Sequence, residues 1–187
     1  MPTDTIYGIV GPALNKKAVE KIYRLRRRNK RKPLIILIGS LADLKKLGVK
    51  TNAKTRKVLK KIWPGKVSVI LALSGKRPRT RISSIRGRQE TRDKFKYLHR
   101  GTKTLAFRLP KLYWLKRLLD KTGPLVAPSA NWEGETPART IKEAKKYFGD
   151  KVDFYVDIGR LSSKPSTLVD IREGKPLVLR KGAVSVK

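Results

Sequence analysis

The sequence predicts an α/β fold, one domain over residues 1–187 built on a single twisted sheet, and three observations predict it. Short apolar blocks of strand type, such as LIILI at 34–38 and VSVIL at 67–71, alternate with segments whose apolar residues recur at helical spacing. Capping residues open the helical segments, and turn formers separate the strands. The length, 187 residues without an internal repeat, suits one domain with its own core.

The elements follow in order. Residues 3–10 read as a strand running into a turn. Asn15 can cap a helix whose Ala18, Val19, Ile22 and Leu25 form one apolar face. Residues 34–38 are a strand of the buried type, and Ser40 caps a short helix carrying Leu41, Leu44 and Leu47. A helix over 55–62 ends near Pro64 and Gly65, because proline cannot continue it. Then come strands at 67–73 and 104–108, a helix at 112–119 and a short strand at 125–127. A helix at 140–148 has Thr140 as its cap, and strands at 152–156, 167–171 and 177–180 close the chain. One stretch differs: residues 74–103 hold eleven Lys/Arg, two acids and little apolar pattern before Phe95, which predicts a long, mobile basic loop inserted in the domain.

Composition narrows the function. Lys and Arg number 47 against 14 Asp and Glu, a net charge of +33 that attracts nucleic acid, ATP or an anionic membrane; a solvated basic surface accounts for it too. The apolar blocks exclude a disordered polycation. No apolar run approaches a membrane span and no signal-peptide pattern opens the chain, so a cytoplasmic protein with no membrane partner is expected. The absence of cysteine excludes disulfide scaffolds, thiolate zinc sites and cysteine nucleophiles. A single histidine, His99, argues against a histidine-rich metal site or a Ser-His-Asp triad, and no protein-bound metal is expected. No G-x-x-x-x-G-K-[ST] occurs, which excludes a phosphate-loop ATPase.

Four segments carry candidate chemistry. PTDTIYG at 2–8 places small hydroxyls beside an aromatic residue and a glycine, which suits a small polar ligand or an ordinary β-turn equally. Residues 24–32 hold seven Lys/Arg in nine positions where the first helix ends. Two or three cations satisfy a helix C-terminus, so the excess favours anion binding by guanidinium forks. APSAN at 127–131 follows an apolar strand, where ligands of α/β sheets bind; a loop with an Asx-turn is the alternative. KPST at 164–167 precedes LRKG at 179–182, and either half alone could be a turn or a strand end.

Taken in order, these segments resemble the YrdC family of threonylcarbamoyl-adenylate synthases. The likeness runs through PTDTIYG, the basic segment ending in KPLIILI, Trp63-Pro64-Gly65, TLAFRLP at 104–110, GPLVAPSAN at 123–131, PSTLVD at 165–170 and LRKG. It implies a YrdC-like fold: a twisted mixed sheet with flanking helices and a large, positively charged concave surface. It also implies a reaction of ATP, L-threonine and bicarbonate for a tRNA modification, with Mg²⁺ accompanying ATP. By resemblance, Thr5, Arg108, Ser129 and Ser166 match threonine contacts, with Tyr7 walling the pocket. Arg28, Lys32, Thr104, Asn131 and Arg180 match ATP contacts, and Arg139 falls where another is expected. Arg26, Arg28 and Lys32 are the candidates for a catalytic phosphate clamp.

The sequence departs from the family pattern in places. The usual Lys-x-Arg reads Arg26-Arg27-Arg28, a frequent histidine is Leu37, and a small, Pro-rich stretch becomes WEGETPAR at 132–139. A strand usually precedes the motif that opens this chain, and longer relatives add a C-terminal domain; neither is expected here. The resemblance also implies a transferase complex that receives the adenylate. The net charge makes tRNA or double-stranded RNA a candidate partner, and a non-catalytic RNA-binding module is the alternative reading. A carbamoyl-adenylate-forming relative is a further alternative, but the zinc-finger and acylphosphatase segments that accompany that type are not in the sequence.

Overall fold

Alternating burial along the strands sets the architecture. The computed structural model describes residues 1–73, 94–172 and 174–186. On β3 (Val67–Ala72) and β4 (Thr104–Arg108), Val69, Leu71, Leu105 and Phe107 are buried, while Ile70, Ala72, Thr104 and Ala106 are half-buried. Successive strand side chains point to opposite faces, so one face carries the main core and the other is less deeply covered, except at Ser68 and Arg108.

The other strands are β1 (Gly11–Pro12), β2 (Ile35–Leu37), β5 (Leu125–Val126), β6 (Thr167–Arg172) and β7 (Lys175–Arg180). Among the described residues they form one seven-stranded sheet in the order β1-β5-β2-β4-β3-β6-β7. The pairs β2–β4 and β3–β6 are parallel and the rest antiparallel, so the sheet is mixed. The helices are α1 (Lys16–Leu25), α2 (Ala42–Lys46), α3 (Ala53–Ile62), α4 (Lys96–His99), α5 (Tyr113–Thr122) and α6 (Ile141–Phe148). Val19, Ile22 and Tyr23 of α1, Leu59 of α3, Leu98 of α4 and Phe148 of α6 join the main core with Phe107 and Val69. Phe107 is fully buried there, and truncating such a side chain to alanine costs about 3–5 kcal/mol. Helix α5 packs apart, its Leu115 and Leu119 against Leu37, Leu125 and Ala127.

The caps at Asn15 and Thr140 form as predicted: Ala18 N donates to Asn15 Oδ1 (3.1 Å) and Glu143 N to Thr140 Oγ1 (3.2 Å). Helix α3 begins earlier than predicted, because Asn52 Oδ1 accepts from Thr55 N (2.8 Å). Three predicted elements need correction. Residues 3–10 bend instead of extending, since the Thr3 N–H and hydroxyl both bond back to Ile6 O; only Gly8 keeps a bridge, to Ser129. Ser40 does not cap α2; Asp43 reaches back instead and accepts from Gly39 N and Ser40 N. Residues 152–156 pair with no strand among the described residues, and Val152 and Tyr155 pack onto the core from a loop.

The basic insert divides. Its residues 74–93 lie outside the described residues. Residues 94–103 are not a loop throughout, because Phe95 and Leu98 are buried in the main core and α4 forms around them. Leu73 N donates to Lys103 O (3.0 Å), continuing the β3–β4 pairing one step beyond the strands.

Candidate active site

Four arginines from three parts of the chain meet on one cleft of about 210 Å³. Arg26 comes from the end of α1, Arg28 from the turn after it, Arg108 from the last position of β4 and Arg180 from the last position of β7. Thr5, Tyr7, Ser129 and Ser166 share its lining. Eight of the twelve residues singled out from the sequence therefore converge.

Arg108 is held most firmly. Its side chain is 4% exposed; Nη2 lies 2.9 Å from Asp4 Oδ1, and Nη1 donates to Thr5 Oγ1 at 3.2 Å. Burial lowers the Arg108 guanidinium while Asp4 opposes the shift; burial likewise raises the Asp4 carboxyl against the pull of Arg108. Two desolvated charges hold one another in register, and Arg108 Nε has no hydrogen-bond partner among the described residues. In the sequence Asp4 stands between the hydroxyls of Thr3 and Thr5, and no local signal marks its partner Arg108.

Ser166 sits just before β6, and its hydroxyl shares a 2.8 Å hydrogen bond with that of Ser68, a fully buried residue that reads in the sequence as strand filler. Arg180 Nη2 donates to Ser166 O at 2.9 Å. Gly182 makes this crossing possible: a Cβ there would stand 2.3 Å from Pro165 O, closer than any side chain tolerates. Burial lowers the Arg180 guanidinium, with nearby Arg28 adding to the effect.

Arg26 is 3% exposed and forks onto the loop after β5. Nε donates to Asn131 O (3.1 Å), and Nη2 donates to Ser129 Oγ (3.1 Å) and Asn131 Oδ1 (3.0 Å). Nη1 is buried without a partner among the described residues. Burial, then Arg28, lowers Arg26 to about 10, so it stays a cation at neutral pH. The planar guanidinium suits this three-point contact, which an ammonium would make in another geometry.

The basic turn follows. Arg27 takes a left-handed conformation (φ 50°), letting Arg27 N bond to Arg24 O and Arg28 N to Tyr23 O, a Schellman closure of α1. The Arg27 guanidinium stacks 3.5 Å from the Trp132 ring centroid. Glu133 Oε1 lies 3.0 Å from Lys32 Nζ and 3.9 Å from Arg28 Nη1, and Oε2 accepts from Asn29 N. Trp132 and Glu133 fall in the stretch where the sequence departs from the family pattern, so no motif pointed to them.

Four residues fall outside the cleft wall. Asn131 is buried behind the wall, its amide bonded to Arg26, Trp132 O and Glu135 O, so it positions Arg26. Lys32 stands at the rim, paired with Glu133. Arg139 is exposed, its backbone tied to Glu143 and Leu161. Thr104 shares the open face with Arg108 but lies four residues away, about 13 Å along β4, in a separate groove with Asp170 and Thr55. The Tyr7 hydroxyl is fully engaged by Asp157, Ile158 and Gly159, so only its ring walls the cleft. Leu37 is wholly buried beneath α5.

The model of the Sua5/YciO/YrdC family, described as "Telomere recombination", matches residues 1–182. A putative threonylcarbamoyl-AMP synthase of Methanocaldococcus jannaschii is 32% identical, covering 99% of this chain and 79% of the relative. The threonylcarbamoyl-AMP synthase of Pyrococcus abyssi is 29% identical, and the chain spans 50% of it. The crystal structure of P. abyssi Sua5 complexed with L-threonine superposes with a TM-score of 0.78 at 28% identity, covering 97% of this chain and 49% of that one. Escherichia coli YciO, at 24% identity and a TM-score of 0.77, shares the fold over the whole chain and 83% of its own length. On sequence and fold together, the chain belongs to the Sua5/YciO/YrdC family.

Proposed function

We propose that this chain is an L-threonylcarbamoyladenylate synthase, a nucleotidyltransferase that makes threonylcarbamoyl-AMP and pyrophosphate from L-threonine, bicarbonate and ATP. The observation that carries the reading is the convergence of Arg26, Arg28, Arg108 and Arg180 with Thr5, Ser129 and Ser166 on one cleft. Asp4 is the one carboxylate buried among them, so the site favours bound anions. The names of the relatives and the threonine complex of the P. abyssi structure support the same assignment.

The threonine amine and bicarbonate combine to a carbamate with loss of water. A carbamate oxygen then attacks the α-phosphorus of ATP, and the bond to the bridging oxygen breaks as pyrophosphate leaves. This step asks for alignment of two anions and neutralisation of phosphate charge more than for proton transfer. Arg108 and Thr5, fixed by Asp4, hold the threonine carboxylate; Ser129 and Ser166 bound the amino acid. Arg26 and Arg28 face the phosphates, with Lys32 at the rim, and Arg180 flanks them. The nucleotide runs from the cleft along the open face towards Thr104. Mg²⁺ enters as part of the MgATP substrate.

The product is an activated intermediate for tRNA, which implies a transferase complex as its acceptor and the cytoplasm as its compartment. No helix among the described residues is long and apolar enough to cross a membrane. The deciding measurement is pyrophosphate release by the purified chain with MgATP and bicarbonate, with and without L-threonine. Threonine-dependent release is expected. No release, with RNA still bound, would leave a non-catalytic RNA-binding module.

A further inference from the structure

The basic turn carries a carboxylate of its own. An ammonium (Lys32) and a turn N–H (Asn29) bond to the carboxylate of Glu133, and the guanidinium of Arg28, whose Nε and Nη2 donate to Lys32 O and Pro33 O, turns Nη1 towards it at 3.9 Å. That is the donor set a phosphate group selects. Glu133 is placed from the chain on both sides. Its own N–H donates to Arg26 O (2.9 Å), Trp132 stacks on Arg27, and Asn131 Nδ2 donates to Trp132 O and Glu135 O. The bonds from Asn29 and Lys32 hold its carboxyl below the usual glutamate value, so it is an anion at neutral pH. Its side chain stays 23% exposed, so it can return to water without crossing a buried layer.

We propose that Glu133 sets the affinity of the basic turn for the triphosphate, acting as a resident counter-anion on the donors of Arg28, Asn29 and Lys32 that a phosphate takes when it binds. The proposal rests on the synthase reading, because it requires phosphate at this turn. A triphosphate carries several charges and displaces one carboxylate; the carboxylate then competes for the same donors as pyrophosphate leaves. Glu133 acts through Arg28 and Lys32 and is a positioning residue. It keeps the cationic turn folded when no nucleotide is present and lowers the barrier to product release.

The test titrates inorganic tripolyphosphate into the full chain at fixed ionic strength and compares Glu133→Gln, Glu133→Asp, Arg28→Ala and Glu20→Gln. Glu20 pairs with Arg100 at 2.9 Å, so its removal makes the same formal charge change at another ion pair. Glu133→Gln is expected to tighten tripolyphosphate about tenfold, the worth of one charge-assisted bond. Glu133→Asp, which shortens the reach but keeps the charge, should give a smaller gain, and Glu20→Gln less than about twofold from the general change in charge. In the synthase assay Glu133→Gln should lower KM for ATP and kcat together, the mark of slowed release. Unchanged or weaker binding by Glu133→Gln, or a gain matched by Glu20→Gln, overturns the proposal. If Arg28→Ala abolishes binding while Glu133→Gln gains nothing, this proposal alone fails. If tripolyphosphate does not bind the wild-type chain, the synthase reading fails with it.

Discussion

The two ends of the cleft use the same pair of chemistries in opposite ways. At one end Arg108 meets Asp4 with both side chains almost fully buried, at 4% and 3% exposure. At the other, Arg28 and Lys32 meet Glu133 with side chains 20%, 62% and 23% exposed. A buried pair is costly to separate, because removing one partner strands a charge in a low-dielectric interior. A half-exposed pair exchanges its partner for water or for another anion at little cost. The difference teaches that burial, and not the identity of the residues, decides whether a carboxylate fixes an arginine or yields it. Asp4 makes Arg108 a rigid part of the cleft wall, and Glu133 leaves Arg28 able to exchange its partner.

Four experiments would break or sharpen this contrast. The largest effect is expected from Asp4→Ala, which strands Arg108 and should cost about 3–5 kcal/mol in chemical denaturation, with loss of threonine-dependent turnover. A cost under about 1 kcal/mol would mean that the buried end is no more committed than the exposed one. Next, Arg28→Ala should lower pyrophosphate release by roughly a hundredfold while moving stability by less than about 1 kcal/mol, since its ion pair is only partly buried. Near-normal release would remove Arg28 from the phosphate clamp.

A smaller effect is expected with pH. Glu133 is held below its ordinary value of 4.5 in the folded chain, so its contribution is present above that value and is lost as pH falls through the lowered one. The melting-temperature gap between wild type and Glu133→Gln should therefore hold at neutral pH and close in acid; a gap that widened in acid would contradict the assigned sign. The smallest effect is expected from Arg27→Gly. Glycine relieves the left-handed strain, worth about 1 kcal/mol, but forfeits the stacking on Trp132, worth about the same, so the melting temperature should barely move. A large fall would show that the stacking outweighs the strain.

What was legible in the sequence follows the same division between local and distant causes. Asn15, Thr140 and the span of β4 could be read because caps and alternation are written in neighbouring residues. Residues 152–156 could not, because a strand needs a partner and their apolar pattern serves packing onto the core. The cleft arginines and hydroxyls were found through motifs whose order and spacing resemble a family. Asp4, Ser68 and Glu133 escaped because each matters through a contact with a residue far along the chain: Arg108, Ser166 and Arg28. The bonds of the Asn131 amide to Arg26, Trp132 and Glu135 are likewise invisible in the local sequence.

The one-sided sheet has a consequence for how such a protein can change. On β3 and β4 every second residue belongs to the packed side, and the alternate ones, Ile70, Ala72, Thr104 and Ala106, meet no comparable layer. Selection can therefore change those half-buried positions at a lower folding cost than the packed ones. A single scaffold can then drift towards new acceptors by editing only its outward-looking half.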